Sequence, residues 1–315
     1  MSGFFSDRRK PGWLAIVTHG KQLTLAHVVR GLGVRPEICL LESFRVETTE
    51  LEALQRLRSA RGLKTYACTT LMPADEYQIT QFDAPNVPPD ERKEALRWAL
   101  KATVDYPLES ACVDSIDIPI DGAGRQTGVF AVSAAESCVR ARATLFDGAG
   151  IPLQAIDIAE LAQRNVAALL EEKNRGLVFL RLDETGGLLT LTFHGELIAT
   201  RRIDVSAVHL SDSDAGRRDL QMERLVLELQ RSLDNFDRQH SFISISKLVL
   251  ATSPAVEGIA ALLRESIYLP VHEMDLASVI DFPAVPELRE PRYQASSLLA
   301  IGAALRTAGG NGVRA

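Results

Sequence analysis

The chain has 315 residues, a formal net charge of −6, 46% apolar and 24% charged residues, a composition typical of a soluble globular protein of about two domains. This acidic balance argues against a general nucleic-acid binder, and no apolar run approaches the roughly 20 residues of a membrane-spanning helix. The start has no long apolar segment, so we expect no signal peptide. The four scattered cysteines and the absence of HExxH predict reduced thiols, a cytoplasmic protein and no metal site.

The N-terminal segment predicts a hairpin. Two apolar stretches, Trp13–Thr18 and Leu23–Val29, flank the polar turn His19-Gly20-Lys21-Gln22. Such a turn can cradle a phosphate, or it can be an ordinary surface hairpin. The elements predicted after it are a strand at Glu37–Phe44, a helix at Thr48–Ala60 that ends at Gly62, and a strand at Lys64–Leu71.

A different pattern follows and is bounded by proline and glycine. We interpret residues 73–150 as an insertion that forms its own small α/β subdomain. Its predicted elements are a strand at Tyr77–Phe82, a helix at Asp90–Val104, paired strands at Cys112–Pro119 and Gly128–Ala134, and a helix at Val139–Gly148.

The opening pattern then returns after a predicted helix at Ile158–Glu172. The predicted elements are strands at Gly176–Leu182, Leu188–Phe193 and Leu197–Val205, a helix at Arg218–Gln239, a strand at Lys247–Ala251, a helix at Val256–Ser266, a short strand near Val271 and a helix at Gln294–Arg306. A meander–helix–strand unit therefore occurs twice, which predicts a duplicated α/β fold with a cleft between the copies. We assign 1–72 with 151–174 to the first half, 175–308 to the second, and 309–315 to a disordered tail.

Four stretches carry a resemblance to a known family. They are EALRWALKATVDYPLESACVD at Glu94–Asp114, GAGIPLQAIDIAELAQ at Gly148–Gln163, ELQRSLD at Glu228–Asp234 and YQASSLLAIGAALR at Tyr293–Arg306. In their order and spacing the chain resembles the PilM-like proteins of type IV pilus assembly, and more closely the MshI proteins of MSHA-type pilus biogenesis.

The resemblance implies a duplicated actin-like (RNase H-like) fold with a cleft and an inserted subdomain. It also implies a cytoplasmic scaffold protein of pilus assembly that is peripheral to the inner membrane. Its partner would be a PilN-like single-span inner-membrane protein, bound through that protein's cytoplasmic N-terminal peptide. Neither nucleic-acid binding nor direct membrane insertion is expected.

Actin-like ATPases hold nucleotide with two hairpin loops, one in each half, and a glycine-rich turn near the adenosine. In the first loop this chain has Thr18-His19-Gly20-Lys21, without the family's carboxylate. The second loop keeps an aspartate and two glycines, although such a sequence also makes ordinary hairpins. The nucleotide-contact candidates in these loops are Gly20, Lys21, Asp183, Gly186 and Gly187.

The third nucleotide element has lost its glycines. Thr252-Ser253-Pro254 stands where the family has a glycine pair, and proline fixes φ and has no N–H. Glu228 and Arg231 match positions that approach the ribose and base, but an exposed i, i+3 ion pair is the commoner arrangement for such residues. We therefore expect no catalytic residues, no bound cofactor and no enzyme activity; the alternative is an ATP-binding switch or weak ATPase that uses magnesium. A sugar-kinase-type transferase is less favoured because no second-substrate motif is present.

A scaffold needs a docking surface, and we place it in a groove between the first half and the insertion. The predicted lining is Tyr66, Trp98, Tyr106 and Leu108. The alternative for Trp98 is a place in the core. The strands Tyr77–Phe82 and Cys112–Pro119 are predicted edges to which an extended partner segment could add.

Overall fold

The computed structural model describes residues 9–31, 35–88, 91–104, 106–119 and 128–307. Its contacts divide the chain into two compact units. One contains the chain up to His27, the range Leu41–Ala159 and the chain from Arg306; the other contains Val28–Leu40 and Glu160–Leu305. The predicted tail at 309–315 lies outside the described residues.

The N-terminal elements match the predicted order of three strands, a helix and a strand. The helix begins where the Thr49 hydroxyl accepts a hydrogen bond from the Glu52 amide at 3.3 Å, and it ends at Gly62, which has a φ of 62°. These elements are β1 (Trp13–His19), β2 (Gln22–Val29), β3 (Glu37–Arg45), α1 (Glu50–Arg61) and β4 (Ala67–Leu71).

The insertion forms a three-stranded antiparallel sheet with two helices. Its elements are β5 (Tyr77–Asp83), α2 (Arg92–Ala99), β6 (Ala111–Ile118), β7 (Gly128–Ala135) and α3 (Glu136–Gly148). The strand order is β5-β7-β6, so the two strands predicted as edges both lie at the edges of this sheet. The predicted helix to Val104 is shorter than expected, because a 3-10 turn at Leu100–Ala102 follows α2.

A small apolar core holds the insertion together. Leu96 and Leu100 pack against Ala111, Val113, Val129 and Ala131 of β6 and β7. Two side chains of α1 join this region to the first half: Gln55 donates to the Gly148 carbonyl and Arg58 to the Gly150 carbonyl, each at 3.1 Å. The insertion is therefore packed on α1 through the end of α3.

The sequence pattern missed a strand, β8 (Leu153–Asp157), which precedes α4 (Ala159–Leu170). Five residues between Pro152 and a predicted helix show too little alternation to be recognised. Only long-range pairing creates this strand, since β8 runs parallel to β4 and completes a sheet of order β3-β2-β1-β4-β8. Gln163 of α4 donates to the Phe179 carbonyl at 3.1 Å and to the Thr190 hydroxyl at 3.0 Å.

The second half repeats the first. Its elements are β9 (Gly176–Leu182), β10 (Gly187–Phe193), β11 (Glu196–Ile203), α5 (Ala215–Gln239), β12 (Ile245–Thr252), α6 (Ile259–Ser266), β13 (Val271–Glu273) and α7 (Pro291–Ala304). The sheet order β11-β10-β9-β12-β13 is that of the first sheet, strand for strand. This confirms the predicted duplication. Among the described residues, no helix is both long and apolar enough to cross a membrane.

Candidate functional site

The first hairpin turn is held by the backbone. Gly20 has a φ of 57°, a conformation that favours glycine, and a Cβ there would meet no other atom within 4 Å. The Lys21 carbonyl accepts a hydrogen bond from the Val46 amide at 2.7 Å. The conformation of the turn, rather than a need for space, therefore explains this glycine.

A polar cavity of about 640 Å³ lies beside this turn. Lys21 and Arg45 line it, and neither makes an ion pair with another described residue. The Glu50 carboxylate also lines it but is compensated, because it accepts a hydrogen bond from the Thr18 hydroxyl at 2.7 Å and pairs with Arg142 at 3.0 Å. The full lining is Thr18, Gly20, Lys21, Arg45, Val46, Glu47, Thr48 and Glu50.

Besides the two cations, the Glu47 carboxylate lines this cavity without an ion pair to another described residue, and the turn itself offers no carboxylate for a metal-bound water. Sequence reasoning identified Gly20 and Lys21 and missed Arg45, Glu50 and Arg142. Those three residues lie far from the turn in sequence, and only the fold brings them to it. In the described part of the chain no group of three or more His, Cys, Asp or Glu side chains is arranged to hold a metal ion.

The second loop uses its aspartate internally. Oδ1 of Asp183 accepts hydrogen bonds from the amide and hydroxyl of Thr185 at 2.8 and 2.7 Å and from the Gly186 amide at 3.1 Å. Oδ2 is paired with Arg181. Burial acts to raise the pKa of the Asp183 carboxyl, but Arg181 and the Thr185 hydrogen bonds outweigh it, so the pKa lies below its ordinary value.

The two glycines of this loop have a packing role. A Cβ on Gly187 would lie 2.9 Å from a Leu182 methyl and 3.1 Å from Ile203 Cβ. A Cβ on Gly186 would lie 3.1 Å from the Ile203 carbonyl oxygen. The close approach of β11 therefore accounts for both glycines without a ligand.

The other nucleotide candidates also lie in the second unit. The Ser253 amide donates to the Leu182 carbonyl at 2.9 Å, which places the Thr252-Ser253-Pro254 turn beside the second loop. The Glu228 carboxylate of α5 pairs with Arg201 at 2.8 Å, and the Arg231 guanidinium lies 3.7 Å from the same carboxylate. The structure thus gives Glu228 and Arg231 the ion-pair arrangement, with Arg201 as the member that sequence reasoning missed.

The docking candidates have different environments. Trp98 is 64% exposed, so it is not a core residue, and Lys101 Nζ lies 5.7 Å from its ring centroid. Tyr66 is buried; its hydroxyl accepts a hydrogen bond from Lys10 at 2.7 Å and its ring contacts His27 edge-on. Tyr66 therefore packs inside the first half and offers almost no surface to a partner. The side chain of Leu108 lies outside the described residues.

Tyr106 is half-buried and packs against the apolar core of the insertion. Burial raises the pKa of its phenol. Tyr106 and Trp98 thus belong to the same subdomain, one at its core and one at its surface, and their docking role stays a prediction.

Comparison with known proteins gives structural but no sequence-level matches: no protein-family model and no curated protein matches this chain. A chain of the PilM-PilN type IV pilus biogenesis complex is similar, with a TM-score of 0.74 and 20% identity over 93% of this chain and 98% of that chain. The fold is that of the actin-like ATPases. A Bacteroides thetaiotaomicron protein with an actin-like ATPase fold and unknown function also matches, with a TM-score of 0.51 and 10% identity over 89% and 96% of the two chains.

Proposed function

We propose that this protein is a scaffold of a type IV pilus assembly machine, of the MSHA type. It would act in the cytoplasm and dock on the cytoplasmic N-terminal peptide of a PilN-like single-span inner-membrane protein. The observation that carries the proposal is the match to the PilM-PilN complex chain, at a TM-score of 0.74 over 98% of that chain. The four sequence stretches described above support the MSHA type.

The side-chain contacts support a scaffold without catalysis. Phosphoryl transfer depends on positioning and on metal-assisted neutralisation of charge. Here the first turn has no carboxylate; Oδ1 of Asp183 is bound within its own loop, and Oδ2 is paired with Arg181 of β9. We therefore propose that the nucleotide site is degenerate.

A second candidate function is an ATP-binding switch. The polar cavity beside Gly20 and Lys21 favours it, because Lys21 and Arg45, which make no ion pair with another described residue, line that space together with Glu47 and Glu50. A simple measurement distinguishes the two functions: the change in the protein's stability when ATP and magnesium are added.

Co-elution of the two purified proteins tests the main proposal. The full chain is mixed with a detergent-solubilised PilN-like protein from the same genome, either intact or without its cytoplasmic N-terminal segment. We expect the intact partner to co-elute and the truncated one to elute alone. Absence of binding to the intact partner contradicts the proposed function.

A further inference from the structure

Two leucines lie on the outward face of α5. Leu220 is 62% exposed and Leu227 is 45% exposed, and their spacing of seven residues places them on one line along the helix. The buried side chains of α5, which include Leu229 and Phe236, lie on the opposite face. Packing within the described chain therefore does not account for the two leucines.

A glutamate and an arginine stand between the leucines on the same face. Glu223 is exposed and makes no ion pair with another described residue. Arg224 pairs with Asp204 at 2.9 Å, but the two side chains are 50% and 87% exposed. Because solvent screens such a pair, it stabilises the fold little, and the Arg224 guanidinium stays available to a partner.

This face of α5 is complementary to itself. When two copies of α5 cross antiparallel, with Leu220 of one facing Leu227 of the other, the midpoint falls between positions 223 and 224. Glu223 of each copy then faces Arg224 of the other, which gives two equivalent ion pairs about a two-fold axis. In a parallel pair, like charges would face each other instead.

The surface around this line is long enough for a helix pair. α5 has 25 residues and is therefore about 38 Å long. Tyr268 borders its C-terminal half, where the tyrosine hydroxyl donates to Asp237 at 2.9 Å, and this side chain is 60% exposed. The exposed apolar surface thus continues beyond the two leucines.

We propose that the outer face of α5, with Leu220, Glu223, Arg224 and Leu227, binds the same face of a second copy of this chain. A second copy supplies both charges in the required order, whereas a purely basic or purely acidic partner would match only one of them. Two crossing helices bury less area than a standard protein interface, so the dimer is weak and forms at micromolar concentrations. The inference goes beyond the proposed function and does not depend on it.

Sedimentation equilibrium of the purified full chain measures the association. We expect a monomer at about 1 µM and mostly dimer at about 200 µM. Leu227→Gln should weaken the dimer about tenfold or more, since each copy loses a leucine that the dimer buries. The control is Trp98→Ala, which removes a large exposed side chain from another helix and should leave the association unchanged. A native chain that is still monomeric at about 200 µM overturns the inference.

Charge reversal identifies the surface. Glu223→Arg and Arg224→Glu should each weaken the dimer about tenfold, because like charges then face each other across the two-fold axis. An equimolar mixture of these two variants should associate as tightly as the native chain, since every arginine again faces a glutamate. The double variant should do the same.

Recovery in the mixture shows that the single variants are folded and that charge pairing caused the weakening. Thermal unfolding of each variant checks the fold independently. A dimer that the α5 variants leave unchanged contradicts the proposed surface. A mixture that associates no better than the single variants overturns the inference as well.

Discussion

At the scale of single residues, Asp183 is a predicted nucleotide-contact residue whose carboxylate also makes contacts that stabilise the fold. Its Oδ1 accepts hydrogen bonds from Thr185 and Gly186, and its Oδ2 pairs with Arg181. The lowered pKa follows from these contacts. The carboxylate therefore stabilises the hairpin between β9 and β10.

Asp183→Asn should isolate the ion pair, because the amide oxygen can still accept the Thr185 and Gly186 hydrogen bonds. The folded pKa lies below the ordinary 3.8, so ionised Asp183 stabilises the protein above that pH, and this contribution disappears as the pH falls through the folded pKa. We expect a loss of about 1–3 kcal/mol at pH 7 in urea unfolding, which shrinks as the pH falls below the ordinary pKa of 3.8.

The control for this prediction is Asp204→Asn, which removes a similar Asp–Arg pair whose carboxylate is 87% exposed. It should leave the free energy of unfolding almost unchanged, since solvent screens such a pair. Equal stability of Asp183→Asn and the native protein at pH 7 would show that the buried pair contributes nothing.

The pKa of the Glu171 carboxyl is shifted in the opposite direction to that of Asp183. Burial raises the pKa of the Glu171 carboxyl, although the hydrogen bond from the Gly195 amide and the nearby His194 partly oppose the shift. A raised folded pKa means that the ionised form costs stability, so lowering the pH towards that pKa relieves the cost.

Glu171→Gln should therefore be more stable than the native protein at pH 7, because the substitution removes the buried charge. The glutamine side-chain oxygen can still accept the hydrogen bond from the Gly195 backbone amide, which lies 2.9 Å from Glu171 Oε2 in the native protein. The advantage should shrink as the pH falls and the native carboxyl is protonated. Thermal unfolding of both proteins between pH 4 and pH 8 measures it. An advantage that grows on acidification would contradict the prediction.

At the scale of elements, Gly302 explains why the final helix contains a glycine. A Cβ at this position would lie 2.1 Å from the Ala162 carbonyl oxygen, since α7 packs directly on the backbone of α4. Asn165 also donates to the Gly302 carbonyl at 2.8 Å. The close contact of these two helices requires a residue without a side chain.

Gly302→Ala should lower the free energy of unfolding by about 2–3 kcal/mol despite the higher helix propensity of alanine, because a backbone clash must be relieved. Gly216→Ala is the matched control: that glycine is also helical, but its Cβ would meet only Asp214 Oδ1 at 3.4 Å. The control should be neutral or more stable by up to about 1 kcal/mol. Equal effects of the two substitutions in urea unfolding would refute the packing argument.

At the scale of the whole molecule, the proposal that the nucleotide site is degenerate leads to a prediction about ligands. ATP with magnesium should leave the melting temperature unchanged, and no phosphate should be released above background. A ligand at 100 times its dissociation constant would add about 2.7 kcal/mol, which a thermal-shift scan detects.

Two outcomes would favour the ATP-binding switch instead. One is a magnesium-dependent rise in melting temperature that Lys21→Ala abolishes, since Lys21 lines the cavity and makes no ion pair within the described part of the chain. The other is phosphate release that Asp183→Ala abolishes. Both variants need a check of their own thermal unfolding, because Asp183 also holds its loop together.

The sequence alone was sufficient for the repeated meander, the caps of α1 and the two edge strands of the insertion. These depend on local patterns: period-two alternation, a threonine before a helix and a glycine after it. The sequence also identified the two candidate nucleotide loops and the helix that carries Trp98. The bounds of the halves and the insertion, and the docking role of Trp98 and Tyr106, stay predictions.

Tertiary structure alone decided the rest, because the deciding contacts join residues distant in sequence. Strand β8 forms because it pairs with β4. Tyr66 is buried and contacts Lys10 and His27, which lie far from it in sequence. Periodicity could not tell whether Trp98 faces a core or solvent, since α2 is short and only Leu96 anchors it. The partners of Glu228 and Glu50, Arg201 and Arg142, lie 27 and 92 residues away, so no local pattern could reveal them.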